Sequence, residues 1–155
     1  MTTVHGRQRD PVPVDHRGLS VLGLDDCLRR IASTPVGRIA FHSDGETVIL
    51  PVNHVVADSL IAFRARWDST LAAAVNHESI AFEVDDYDAL EHIGWSVLVK
   101  GIAATEYDAA TCRHFEGMLG VPWEGPTEEV FWVAIRPEEV SGRELSSTRS
   151  ECGCC

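Results

Sequence analysis

Short apolar runs separated by turn residues constrain the fold of this chain more than any other feature. In Ser79–Asp85, for example, Ile80, Phe82 and Val84 alternate with more polar neighbours, which is the two-residue period of a half-buried strand. Six such runs begin at Gly37, Thr47, Leu60, Ser79, Trp95 and Val130. Because they do not alternate with long helices, the pattern argues against a doubly wound sheet and predicts a small antiparallel barrel, mainly β within an α+β chain.

Two helices are predicted between these runs. Leu24–Ser33 has apolar residues on one face, and Pro35 ends it. Asp108 can cap a second helix that extends to about Leu119, because a carboxylate accepts the free backbone N–H groups of a first turn. These helices are short, so we expect them to flank the barrel rather than to form a layer of their own.

The composition limits the classes of partner. A chain of 155 residues fits one domain. A net charge of −11 argues against a nucleic-acid partner, because binding a phosphate backbone needs a basic surface. No apolar run is long enough for a transmembrane helix, and the N-terminus lacks the apolar core of a secretory signal. The chain is therefore expected to be cytoplasmic and not to contact a membrane. Five cysteines, an odd number, argue against a disulfide framework.

The polar ends of the chain suggest its domain boundaries. Residues 1–18 are predicted to be a flexible arm, residues 19–143 the barrel domain, and residues 144–155 a disordered tail rich in cysteine. The last strand is predicted to stop at Pro137, with a polar, disordered segment from Ser141 onward. Gly101 is predicted to mark a bulge or a point of close approach in the strand that begins at Trp95.

A candidate phosphate site follows the third run. Arg64 and Arg66 precede Ser69 and Thr70, and Asp68 can cap a helix that starts there. Guanidinium groups, hydroxyls and a helix N-terminus together can hold a phosphate dianion. The alternative is a hairpin whose arginines are simply solvated.

The order of these segments resembles a known family, the pyridoxamine 5'-phosphate oxidase-like proteins, which are FMN-binding split β-barrels. The segments that carry the resemblance are GRIAF (37–41), Pro51-Val52-Asn53, FRARWDSTLAAA (63–74), FEVDD (82–86), GWSVLVKG (94–101) and IRPEEVSGR (135–143). The resemblance implies a six-stranded antiparallel Greek-key barrel with short flanking helices. It also implies a homodimer with two flavin sites at the interface.

The resemblance assigns roles to particular positions. It implies that one strand segment runs beside the isoalloxazine ring, namely Leu50, Pro51, Val52 and Asn53. Phe63 and Arg64 are expected near the phosphate end, and Ser69 and Thr70 are expected to receive the phosphate. Trp95 and Ser96 are expected to reach the flavin across the dimer interface.

Two departures from the family pattern bear on function. Relatives commonly carry a lysine where Thr70 stands, so one positive charge is missing from the expected phosphate site. The arginine- and tryptophan-rich C-terminal motif of true pyridoxamine-phosphate oxidases is also absent; the chain here reads FWVAIRPEEVSGREL. It resembles the shorter, uncharacterised branch of the family, and vitamin B6 oxidation is not the expected reaction.

Two hypotheses for the function stay open. One is an FMN-dependent oxidoreductase acting on a small-molecule substrate, in which the cofactor supplies the redox chemistry. The other is a non-catalytic protein that binds or senses a flavin, a deazaflavin (F420) or haem. No acid, base or nucleophile is assigned. No metal site is predicted, because the histidines lack paired ligand spacing and the three cysteines of the tail form an incomplete set.

Overall fold

The computed structural model describes residues 12–66, 71, 75–119 and 130–146. Within these ranges the chain forms seven strands and two helices. In chain order they are β1 (Ser20–Leu22), α1 (Leu24–Ser33), β2 (Val36–Ser43), β3 (Glu46–Ala57), β4 (Leu60–Arg66), β5 (Glu78–Asp88), β6 (Ile93–Glu106), α2 (Ala109–Met118) and β7 (Val130–Leu145).

Six of the strands close into a barrel. Their order is β7-β4-β3-β2-β5-β6, and β6 pairs with β7 again to complete the circle, with every ladder antiparallel. The predicted mainly β split barrel is therefore confirmed. β1 is an additional strand that pairs with the end of β7, and its three residues are too short for a periodic pattern to reveal it.

The last strand is longer than predicted. The predicted stop at Pro137 is wrong, because β7 continues through it and pairs with β6 as far as Leu145. Pro137 lies opposite Gly101, where the register of the ladder shifts, and the extra residue of this bulge is Glu138 of β7 rather than a residue of β6. Gly101 is the predicted close-approach point, because a Cβ there would lie 2.3 Å from the carbonyl oxygen of Arg136. Pairing of β7 with β4 ends at Ile135 and pairing with β1 begins at Gly142, so the proline lies where β7 has only β6 beside it among the described strands. A proline is tolerated at such an edge because no second ladder requires its missing N–H.

Residues 141–145 are likewise not part of the disordered segment that their polarity predicted. Ser141–Leu145 pairs with β6, and the residues from Gly142 to Glu144 also pair with β1. Arg143 forms an ion pair with Asp15, whose side chain also accepts the backbone N–H of Leu19. Long-range pairing therefore orders a stretch whose own side chains carry little apolar signal. Residues 1–11 and 147–155 lie outside the described residues.

Both helices have the predicted bounds to within a residue. α1 buries Cys27 and Ile31 against the residues inside the barrel. Asp108 caps α2 by accepting the backbone N–H of Thr111 at 2.8 Å. α2 packs Phe115 onto the outside of the barrel, where its ring lies 5.2 Å from that of Trp132. The barrel thus has an inner core joined by α1 and a smaller outer cluster beneath α2.

Candidate functional site

The strands β3 and β4 separate partway along their length. Their ladder begins at the hairpin turn and its last pair is His54 with Phe63. Beyond this pair β4 continues beside β7 to Arg66, whereas β3 remains beside β2. Within the described ranges, no other strand pairs with the β4-facing edge of β3 between residues 46 and 53. We refer to this opening as the β3–β4 split.

Exposed apolar side chains follow the open part of β3. Ile49 is 63% exposed and Leu50 is 36% exposed, and Pro51 beside them is also exposed. Val52 points into the barrel and is buried. Because successive side chains of a strand point to opposite faces, Ile49 and Pro51 lie on one face of β3 and Leu50 lies on the other, with Val52. Exposed apolar side chains beside an open strand edge leave surface that a flat apolar ring could cover. Pro51 has no N–H, so this position can offer a ligand only its carbonyl.

Arg64 and Asn53 lie on the two strands that border the split. Arg64 faces outward beside Trp132 of β7, and its guanidinium pairs with Glu116 of α2 at 3.5 Å. Asn53 donates from its side chain to the carbonyl of Pro35 at 3.1 Å. A guanidinium beside a strand edge can bind a phosphate. To do so, Arg64 would have to weaken or give up its ion pair with Glu116.

Two further predicted residues have different surroundings. The side chain of Phe63 is fully buried in the barrel, so only its backbone could contact a ligand. Ser69 and Thr70 lie outside the described residues, as does the start of the helix predicted there. Of the side chains predicted to bind the phosphate, the structure therefore describes that of Arg64.

Trp95 and Ser96 lie on opposite faces of β6. Trp95 is on the same face as the buried Val97, half-buried at the end of the barrel, and the guanidinium of Arg30 lies 4.8 Å from its ring centroid. Ser96 is exposed on the outer face. Because these two side chains face opposite sides of β6, a single ligand within one protomer could not lie against both of them.

His54 is buried inside the barrel. Its Nε2 lies 2.8 Å from the carbonyl of Ile31, so this nitrogen carries the proton and donates it. Burial lowers the pKa of His54, and the nearby backbone carbonyls of Ile31 and Val52 oppose that shift. The ring also packs edge-on against Phe82. We conclude that a neutral His54 joins α1 to β3 just inside the split.

Two residues at these places, Glu116 and Arg30, were not among the site residues predicted from the sequence. Glu116 faces Arg64 only because α2 folds back over the outside of the barrel. Arg30 reaches Trp95 because α1 lies against the barrel end formed by β6 and β7. Both contacts join residues far apart in the chain, and no local pattern indicates them. Among the described residues, no group of three or more potential ligands is arranged to hold a metal ion, and no helix is long and apolar enough to cross a membrane.

Comparison with known proteins shows a similarity that extends over most of the barrel. The model of the family described as pyridoxamine 5'-phosphate oxidase matches residues 24–144. The uncharacterized protein Rv0080 of Mycobacterium tuberculosis is 33% identical over 135 residues, which cover 84% of this chain and 88% of that protein.

Solved structures give the same result. The FAD binding protein from Mycobacterium smegmatis has a TM-score of 0.72 and 32% identity, covering 81% of this chain and 98% of its own. A conserved protein of unknown function from Corynebacterium diphtheriae has a TM-score of 0.68 and 33% identity, covering 83% of this chain and 98% of its own.

Proposed function

This chain belongs to the pyridoxamine 5'-phosphate oxidase family, and from that premise we propose that it is a flavin-dependent oxidoreductase that binds FMN at the β3–β4 split. The observation that carries the proposal is the 32% identity to the FAD binding protein from Mycobacterium smegmatis, which extends over 98% of that chain. A likeness of that extent makes a flavin the first ligand to test.

The side chains at the split fit such a cofactor. Ile49, Leu50 and Pro51 present exposed apolar surface along an open strand edge, which suits an isoalloxazine ring. Arg64 supplies a guanidinium at one end of that edge, which suits the phosphate. Ser69 and Thr70 follow β4 in the chain and would complete the phosphate site. Val52 and Phe63 would support the site from the core side, through their buried side chains and their backbone.

When bound, a flavin supplies reversible acceptance of a hydride, and the protein supplies binding, orientation and exclusion of water. The apolar side chains of β3 would cover one part of the ring and keep water from it. Arg64 would fix the position of the phosphate and so the register of the ring along β3. Ser96, on the outer face of β6, would reach the cofactor only from the second subunit of a dimer. The proposed assembly is accordingly a cytoplasmic homodimer that acts on a small-molecule substrate.

The test is to add FMN to the purified protein, remove free ligand, and record the absorption spectrum before and after anaerobic addition of NADPH. We expect a bound flavin spectrum that bleaches on reduction. A bound flavin that NADPH and NADH both fail to bleach would favour a binding or sensing protein. Absence of any bound flavin, or a haem Soret band from the protein as purified, would overturn the proposal.

A further inference from the structure

The strands β2 and β5 separate after a short ladder. The ladder runs from the pair of Arg38 with Glu83 to the pair of Ala40 with Ala81. Beyond it, β2 remains beside β3 and β5 remains beside β6. A cavity of about 360 Å³ lies at this divergence, and we refer to it as the β2–β5 cavity. Six of its lining residues project from the outer face of the barrel, namely Ala40, His42, Thr47, Ser79, Ala81 and Lys100.

Small side chains form the floor of this cavity. Ala40 lies directly opposite Ala81, and Ala81 lies directly opposite Lys100. Directly opposed residues share a face of the sheet, with their Cβ atoms about 4.5–5.5 Å apart. On its other side, Ala40 lies opposite Ile49 of β3, which is 63% exposed. The floor is therefore a shallow apolar surface that continues onto the outer face of β3 beside the β3–β4 split.

The polar groups around the floor can all donate hydrogen bonds. They are the ammonium of Lys100, the hydroxyls of Thr47 and Ser79, and the imidazole of His42, whose Nδ1 lies 3.4 Å from Thr47 Oγ1. None of the described residues that line the cavity is acidic, although the sequence has 24 aspartates and glutamates against 13 lysines and arginines. This lining favours an anion that also has an apolar body.

Two carboxylates lie near the cavity, and each already has a partner. Glu139 of β7 pairs with Lys100 at 3.2 Å, with both side chains more than half exposed. Glu83, the next outward residue of β5 after Ala81, pairs with Arg38. An ion pair as exposed as that of Lys100 is weak, so a ligand carboxylate can compete with Glu139 for the ammonium. One ammonium balances one negative charge, and the cavity therefore suits a monocarboxylate better than a phosphate dianion.

We propose that the β2–β5 cavity binds a small monocarboxylate with a flat apolar body. The carboxylate would accept hydrogen bonds from Lys100 and Ser79, and the body would lie over Ala40 and Ala81 toward Ile49. Ile49 belongs to the surface on which the flavin ring is proposed to lie, so a carboxylic acid with a flat, unsaturated body would be the substrate class of the oxidoreductase. To that extent the inference rests on the proposed function.

Calorimetry on flavin-free protein tests the site with benzoate, benzyl alcohol and benzylamine, which are similar in size and differ in charge. Wild-type protein should bind benzoate at least about tenfold more tightly than benzyl alcohol, and the benzylammonium ion should not bind. Lys100→Met removes the charge and keeps a side chain of similar length. It should weaken benzoate binding at least about tenfold and leave the Kd for benzyl alcohol within about twofold.

Two further variants complete this test. Glu139→Gln should strengthen benzoate binding, because it removes the carboxylate that competes for Lys100. Arg29→Met is the matched control, since Arg29 is another exposed cation in an ion pair, with Asp26 of α1, and it should leave all three constants unchanged. The inference is overturned if benzoate binds wild type no more tightly than benzyl alcohol does, or if Lys100→Met binds benzoate as wild type does.

A second measurement uses the wild-type side chain and does not depend on how Lys100→Met folds. Lys100 is the one lysine of the sequence, so reductive methylation with isotope-labelled formaldehyde labels this side chain and the N-terminal amine alone. The Lys100 resonance should shift on addition of benzoate and stay in place on addition of benzyl alcohol. A Lys100 resonance that benzoate does not move would overturn the site.

These measurements on flavin-free protein separate the inference from the proposed function. Benzoate binding that depends on Lys100 supports the cavity even if no flavin binds at the β3–β4 split. In FMN-loaded protein, bound benzoate should perturb the visible absorption of the flavin, and an unchanged spectrum at saturating benzoate would remove the substrate assignment. Conversely, tight FMN binding with no benzoate binding would retain the flavin site and remove the carboxylate site.

Discussion

Replacement of Arg64 by alanine should weaken FMN binding, and the contacts of Arg64 set the size of the effect. A hydrogen bond to a charged group contributes about 1.5–3 kcal/mol. Arg64 already pairs with Glu116, and their side chains are 24% and 48% exposed. A partly exposed pair of this kind contributes only about 0.2–1 kcal/mol. Giving up that pair for a phosphate therefore leaves a net contribution of about 0.5–2.8 kcal/mol, or roughly 2- to 100-fold in Kd.

The same contacts predict a gain of affinity from the partner. Glu116→Gln removes the carboxylate that competes with the phosphate for Arg64, so FMN should bind more tightly by up to about 1 kcal/mol, or roughly fivefold. Arg64→Ala should thus weaken FMN binding and Glu116→Gln should strengthen it. General destabilisation of the protein would not produce opposite effects in the two variants.

In the assay, each protein is titrated with FMN and with riboflavin at low and at high salt, and binding is measured by fluorescence quenching. Riboflavin has no phosphate, so Arg64→Ala and Glu116→Gln should change its Kd little. Arg113→Ala is the charge-matched control, because Arg113 is an exposed residue of α2. The reasoning is refuted if Arg64→Ala binds FMN as wild type does, or if it weakens riboflavin and FMN by the same factor.

Four further predictions follow from the fold. Sedimentation equilibrium should give twice the chain mass of 17.0 kDa, because exposed apolar side chains of β3 need cover, and a monomer at micromolar concentration would contradict this. A chain restricted to residues 19–143 should fold with a lowered Tm, since it loses the end of β7; failure to fold would show that the ends are required. The pKa of His54 is lowered in the folded state, so stability should be full above pH 6.5 and fall as the pH drops below that value, and His54→Gln should flatten this dependence in denaturant titrations across pH. Gly142→Ala should cost about 1–3 kcal/mol of unfolding free energy because its Cβ would lie 2.6 Å from Cys27 Sγ, whereas Gly117→Ala, which meets nothing within 4 Å, should not destabilise.

Local pattern was sufficient to predict most elements of this fold. The apolar face and flanking residues of α1 gave its bounds, and Asp108 gave the start of α2, because capping and periodicity act over a few residues. The polar end of β7 was missed because its order comes from two neighbouring strands rather than from its own side chains. Pro137 misled for a related reason: a proline ends a strand only where a ladder needs its N–H.

The sequence indicated which segments contribute to the candidate site, but not how those segments lie relative to one another. The resemblance identified β3 near Asn53 and the adjoining Arg64, and the structure places both beside the β3–β4 split. Side chains alternate between the two faces of a strand. One face of β6 points into the barrel and the other points outward, so Trp95 and Ser96 lie on opposite faces. The carboxylate that pairs with Arg64 could not be predicted, because that contact depends on how α2 packs.

The measurement that tests the central claim most directly is equilibrium dialysis of the wild-type protein against FMN, with the bound flavin determined from its visible absorption. We expect one FMN per chain at saturation, with riboflavin binding more weakly than FMN because Arg64 acts on the phosphate. Retention of no FMN above the level of a protein-free control would contradict the assignment of a flavin site to the β3–β4 split.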